Sequence, residues 1–194
     1  IKYRQRNGFT HRDVLRLCHA STTETVRNNI LRYAVGKECE TLHPTIEAFE
    51  QVQKTSDISE VIKLVKEYNL PWEALQTEHL RYNSVWSALL PDMPITALVR
   101  NLGRMTNNGT LNSALDENVK CVVKKLTDAN AIQRSRIHPM NLLVAIKTYT
   151  QGRGMKGSLS WNPIAKVRDA MQDAFYLAFD NVEASGENYY LALD

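Results

Sequence analysis

Apolar residues recur along most of this chain at spacings of three and four, the signature of helices that bury one side. Thr10 is placed to cap a first helix running to about His19, with Asp13 in its opening turn and Val14, Leu15 and Leu17 expected on the buried side. A second helix, from about Thr23 to Val35, carries Val26, Ile30, Leu31 and Ala34 and meets its terminator at Gly36. Pro44 suits the first turn of a third, with Ile46, Phe49 and Val52 facing inward. Asp57 caps a fourth bearing Ile58, Val61, Ile62, Leu64, Val65 and Tyr68. Short helices follow around Trp72 and Leu75 and around Val85, Trp86, Leu89 and Leu90, the second of them stopped by Pro91. Pro94 opens PITALVRNLGRM, which ends at the turn Asn107, Asn108, Gly109. Two more helices are predicted at about 115–128 and 139–150, and a long one carries Val167, Met171, Ala174, Phe175 and Ala178.

Helices of this length with short connections pack against their neighbours as antiparallel hairpins. The expected fold class is therefore all-α, with an irregular solenoid of HEAT-like repeats through residue 182 and a compact bundle as the alternative. The loop TQGRGMKGSLSWNP, residues 150–163, interrupts the pattern with three glycines. After the turn ASGEN, the closing YYLALD changes to strand-like content. An apolar strand that finishes on an acid, here Asp194, is how many doubly wound α/β domains begin, with a surface carboxylate as the plainer reading. Residues 183–194 are accordingly expected to be a linker and the first strand of another domain.

Composition adds little until it is divided along the chain. Hydrophobic residues make up 43% and charged residues 23%, and there are only 8 glycines and 6 prolines, which excludes a disordered or collagenous chain. No apolar run has the length of a membrane span, and no signal peptide stands at the start. The sequence opens on Ile1 rather than Met, so it reads as a fragment in which missing targeting segments carry no weight. Three separated cysteines, Cys18, Cys39 and Cys121, form no disulfide framework and read as free thiols in a reducing compartment. The whole chain carries +3 and its first twenty residues +4, so the rest carries −1. Basic character concentrated in this way is an electrostatic footprint. The segment RQRNGFTHRDVLRLCH is its centre.

Catalytic constellations are weak by comparison. His11, His19, His43, His79 and His138 show no zinc spacing, and Cys18 beside His19 cannot place thiolate and base face to face by adjacency alone. His138 precedes Pro139 at a helix start, where a structural role suffices. Arg153 and Lys156 lie in a glycine-rich loop that lacks the ending of a phosphate-binding P-loop. Trp72, Trp86 and Trp161 sit among apolar neighbours and read as core. Lys120, Lys124, Lys125, Arg134 and Arg136 either extend a nucleic-acid path or form a solvated face. The chain is read as a non-enzyme.

Four stretches, QRNGFTHRDVLRLCH, MPITALVRNLGRMT, RIHPMNLLVAIKTYTQGRGMKGSLSW and YYLALD, together resemble the TROVE module of the Ro ribonucleoprotein autoantigen family, in the same order and over essentially the whole chain. The resemblance implies a monomeric ring of HEAT-like repeats closed by a von Willebrand factor A domain. Such proteins bind small non-coding Y RNAs on the outer surface and take loose 3′ ends of misfolded RNAs into the central hole. It also implies that Lys2, Arg6 and His19 match the family's Y RNA contacts, with Arg4, His11, Arg12 and Arg16 flanking the same site. Asp194 matches the start of the A domain's metal site, which takes Mg²⁺ or another divalent cation and continues with a Ser-x-Ser beyond this sequence. No cofactor is expected within these residues alone. The resemblance also implies that the first part of the ring lies outside this sequence.

Two functional classes follow. One is an RNA-binding ring protein that stabilises Y RNAs and sorts defective transcripts, located in the cytoplasm with the nucleus as a second site. The other is an α-solenoid scaffold for protein partners, whose binding lacks the steep salt dependence of phosphate contacts.

Overall fold

The computed structural model describes residues 8–39, 41–155, 157–187 and 190. Every regular element among them is helical, and an isolated β-bridge joins Arg153 to Ser160. Lys2, Arg4, Arg6 and Asp194 lie outside the described residues, and of YYLALD only Tyr190 is described, exposed and in no regular element. The chain divides into two compact units, Ile1–Asp92 and Met93–Asp194, a division that the continuous run of helical patterns does not announce.

The first unit holds α1 (His11–Cys18), α2 (Thr25–Ala34), α3 (Pro44–Val52), α4 (Ile58–Tyr68) and α5 (Asn83–Leu89). Local chemistry sets their ends. The Asp57 carboxylate accepts from the Ser59 N–H at 2.9 Å to start α4, and Asn69 ends it in the left-handed region. Pro91 does not simply stop α5: the chain tightens into a 3₁₀ turn over Leu90–Asp92, which tolerates proline in its first turn. Val61, Leu64 and Val65 of α4 are buried, and α4 packs against both α3 and α5. Each such side chain contributes about 1.5–3 kcal/mol on burial. Trp86 is fully buried with its indole N–H donating to the Leu80 carbonyl at 2.8 Å, and half-buried Trp72 stacks on it at 6.4 Å. Two side-chain amides tie the segment after α3 to the 3₁₀ turn Trp72–Ala74 and beyond: Gln53 donates to the Ala74 carbonyl and Gln76 to the Gln53 carbonyl.

The second unit holds α6 (Ile95–Asn107), α7 (Glu117–Leu126), α8 (Ala129–Ser135), α9 (Pro139–Thr150) and α10 (Ala165–Leu177). The pattern expected as one helix over 115–128 ends at Leu126, and a separate α8 follows because Asp128 caps a new start by accepting from the Ala131 N–H at 3.1 Å. His138 does take a structural role, accepting from the Met140 N–H at 3.2 Å as the cap of α9. A plain run of nearest-neighbour hairpins is not what forms here. Helix α10 packs against α7, α8 and α9 together, since Ala170, Ala174 and Ala178 are small enough for close approach while Val167 and Met171 fill the core. Asn181 then donates to the carbonyls of Ile132 and Ile137, fastening the end of this segment to α8.

The loop of residues 150–163 is tied down. Trp161 N–H donates to the Gly152 carbonyl at 2.8 Å, Gly154 N–H to the Leu159 carbonyl at 2.9 Å, and the Asn107 amide to the Ser160 carbonyl at 2.7 Å. Trp161 and Tyr149 stack at 6.1 Å. Trp161 is half-buried, so of the three tryptophans only Trp86 is wholly core.

Candidate nucleic-acid interface

The basic segment begins with a reciprocal cap. Thr10 Oγ1 accepts from the Asp13 N–H at 3.2 Å, while the Asp13 carboxylate accepts from the Thr10 N–H at 2.8 Å and the Thr10 hydroxyl at 2.7 Å. The Thr10 hydroxyl, then its N–H, hold the Asp13 carboxyl below the usual carboxylate range, with smaller help from the Arg16 and Arg12 guanidiniums. Asp13 is therefore engaged in starting the helix. Among the described residues neither Arg12 nor Arg16 forms an ion pair with it. Their charges stay available.

The helix ends at His19, which caps it in the left-handed region with φ 48° and ψ 38°, its N–H donating to the Leu15 carbonyl at 3.1 Å. A non-glycine residue held there costs on the order of 1 kcal/mol. The imidazole is exposed and makes no hydrogen bond with any described residue. His11 and Arg12 are exposed too.

The expected buried side of α1 is only partly found. Leu15 is half-buried against α2, whereas Val14 is 45% and Leu17 70% exposed. Val14 and Leu17, three apart, share an exposed stripe, while Leu15 sits about 100° round the helix from Val14.

Between α1 and α2 runs a groove of about 460 Å³. Leu15, Leu31 and Val35 give it an apolar floor. Arg16, His19, Arg32 and Lys37 supply its cationic lining, and no carboxylate lines it. Arg32 Nε donates to the Glu38 carbonyl at 2.9 Å, which fixes the guanidinium stem and leaves its terminal nitrogens for a ligand. Among the described residues none of Arg16, Arg32 and Lys37 is in an ion pair. An unneutralised cationic groove is suited to phosphates, which a guanidinium can grip through two oxygens.

Sequence reasoning placed His19, Arg16, His11 and Arg12 on this helix but overlooked Arg32 and Lys37. Their signal was faint, since Arg32 reads as an ordinary cation in the last turn of α2 and Lys37 follows the terminator Gly36. The other basic groups belong to the second unit. Lys120 is paired with Glu117 at 2.6 Å, and Arg136 serves as the left-handed cap of α8. Arg153 is exposed beside the bridge to Ser160, and Lys156 lies outside the described residues. Cys18, Cys39 and Cys121 are free thiols. Among the described residues no helix is long and apolar enough to cross a membrane.

Comparison with known proteins supplies the context for this groove. Residues 63–148 match the model of the TROVE domain. Over its whole length the chain is 36% identical to the RNA-binding protein RO60 of Deinococcus radiodurans and 34% identical to the RNA-binding protein RO60 of Caenorhabditis elegans. It spans 37% of the length of each. The crystal structure of the Deinococcus radiodurans RO (RSR) protein matches 94% of this chain with a TM-score of 0.77 at 36% identity, the match covering 38% of that protein. A domain match, full-length identity at this level and a shared helical fold agree: the chain is similar to these Ro proteins over its whole length and matches the TROVE domain over residues 63–148.

Proposed function

We propose that this chain is the repeat-bearing part of an RNA-binding Ro protein, and that the cationic face of α1 and α2 takes the phosphates of a structured small RNA of the Y RNA type. The observation that carries this reading is the α1–α2 groove, whose lining holds Arg16, His19, Arg32 and Lys37 and no acid. Relatives named as RNA-binding proteins support it. In this reading Lys2 and Arg6 add phosphate contacts, and His19 contributes a donor to phosphate or a ring to stack on a base. The whole protein is a ring of HEAT-like repeats that also accepts misfolded RNA 3′ ends, with Asp194 starting the metal site of an A domain. None of these finer features is needed for the groove to act.

Filter binding with a Y-like RNA stem at two salt concentrations tests the reading in the intact protein. Alanine at Arg16, Arg32 or Lys37 should each weaken binding about tenfold or more, because removing a charge-assisted hydrogen bond costs about 1.5–3 kcal/mol. Each should also flatten the plot of log affinity against log salt by up to about one unit. Stem affinity that is indifferent both to salt and to these substitutions would leave the scaffold reading in its place.

A further inference from the structure

The end of α10 carries aromatic rings that the core does not use. Ala170, Met171 and Ala174 of this helix are buried, whereas Tyr176 is 71% and Phe179 51% exposed. Being three apart, Tyr176 and Phe179 lie on one side of the segment, where α10 passes into the 3₁₀ turn Ala178–Asn181. Half-buried Phe175 sets both rings, meeting Tyr176 edge-on at 5.4 Å and Phe179 edge-on at 5.1 Å between centroids. The hydrogen bonds of Asn181 to the carbonyls of Ile132 and Ile137 fasten the turn that bears them. Val182, exposed and donating its N–H to the Phe179 carbonyl at 3.0 Å, extends the apolar surface. A contiguous apolar patch of this kind marks an interaction surface, unlike single exposed side chains.

The charge on this segment is negative throughout. Beyond Arg168 the sequence holds six acids and no lysine, arginine or histidine. Arg168 is itself paired with Asp169 at 2.8 Å. Asp173 lies one turn before Tyr176, Asp180 directly follows Phe179, and Glu183 comes shortly after. All three are exposed, and among the described residues none is in an ion pair or a hydrogen bond.

We propose that this face docks an arginine-rich segment of a partner protein, its guanidinium groups lying against the Tyr176 and Phe179 rings while Asp173, Asp180 and Glu183 balance their charge. A guanidinium is flat as well as permanently charged, so it can stack on an aromatic face and still offer its fork to a carboxylate. Lysine brings the charge without the plane. Nucleic acid does not suit this surface, because its phosphates would meet carboxylates with no cation between them. A neutral apolar helix would strip water from three carboxylates and return nothing to them. A second copy of the chain would have to bring the cations around α1, which the reading above assigns to RNA. From Asp173 to Asp180 the face runs about 10 Å at about 1.5 Å per residue. An extended segment covers that length in about three residues, so two arginines one or two residues apart span it. The inference goes beyond the RNA reading and stands without it.

Fluorescence anisotropy on the intact protein, stripped of RNA, with a labelled short peptide of alternating arginine and glycine tests this. The arginine peptide should bind, and a lysine–glycine peptide of the same length should bind more weakly. Tyr176→Ala with Phe179→Ala should weaken the arginine peptide about fivefold or more, each exposed ring contributing a factor of about two to five. Tyr176→Phe should bind as the native protein does, since the ring face acts and the hydroxyl does not. Asp173→Asn with Asp180→Asn should weaken binding and make what remains less sensitive to salt. RNA-stem affinity should stay unchanged in all of these variants. The substituted side chains are exposed, and circular dichroism should show each variant folded. A native protein that does not bind the arginine peptide overturns the proposal, as does unchanged affinity in the double alanine variant. Equal affinity for the arginine and lysine peptides would mean that charge alone holds them, which removes the stacking site. Sedimentation showing a dimer that the double alanine variant abolishes would assign the face to a second copy and overturn the proposal as well.

Discussion

Glycine to alanine inside a helix ordinarily stabilises by about 1 kcal/mol, and Gly103 lies well inside α6. Here the opposite sign is expected. A Cβ at Gly103 would stand 2.6, 2.7 and 2.8 Å from three ring carbons of Trp161, where about 3.5–4.0 Å is comfortable. The ring would have to retreat by about 1 Å. It has little freedom to do so, since its Nε1 donates to the Tyr149 carbonyl at 3.0 Å, its backbone N–H is bonded to Gly152, and its face stacks on Tyr149. Overpacking of this kind costs about 1–3 kcal/mol, and breaking the indole hydrogen bond adds about 0.5–1.5 kcal/mol. Set against the helix preference of alanine, Gly103→Ala should destabilise by about 1–3 kcal/mol. For a chain of this size that lowers Tm by about 2–4 °C per kcal/mol. Thermal unfolding followed by circular dichroism measures it, with Trp161→Leu as the partner in a double-mutant cycle. In the Trp161→Leu background the ring is gone, and Gly103→Ala should turn neutral or stabilising. A rise in Tm for Gly103→Ala in the otherwise unchanged protein refutes the reasoning, because it would mean that Trp161 moves aside at no cost.

Two further outcomes follow from the first unit. The Tyr33 hydroxyl donates to the Glu50 carboxylate, and burial followed by that carboxylate pushes the phenol up from 10.0 to about 12. A raised phenol pKa stabilises the fold below pH 10 and loses that contribution as pH climbs through about 12; because Tyr68 and Tyr149 are raised as well, equilibrium unfolding against pH should show a smaller loss in Tyr33→Phe than in the native chain, and the substitution itself costs about 0.5–1.5 kcal/mol at neutral pH. Trp86→Ala should cost about 3–5 kcal/mol in urea unfolding, because it empties a fully buried site and leaves the Leu80 carbonyl without its donor; a cost below about 1 kcal/mol would show that the core closes over the cavity.

What the sequence determined by itself is local. Thr10 with Asp13, Pro44, Asp57 and Pro94 mark helix starts because a cap or a fixed φ acts within one turn, and those helices begin within a residue of the expected positions. Helix α8 escaped because its seven residues bury only Ile132, too few to display a period. The concentration of cations before residue 20 was equally legible, as was the role of His138, since both depend on neighbours in the chain. Tertiary structure decided the rest. Arg32 and Lys37 join Arg16 and His19 only because α2 folds back against α1, and the exposure of Val14 and Leu17 depends on which side of α1 that packing uses. Gly103 and Trp161 are far apart in the chain, so the close approach that forbids a methyl group at Gly103 has no sequence signal at all. The aromatic face at the end of α10 has the same origin: the segment carries Tyr176 and Phe179, but packing against α7, α8 and α9 decides that they stay outside. Caps and periodicity act over a few bonds and can be read along the chain, whereas charge that collects across a groove exists only once packing has brought distant helices together.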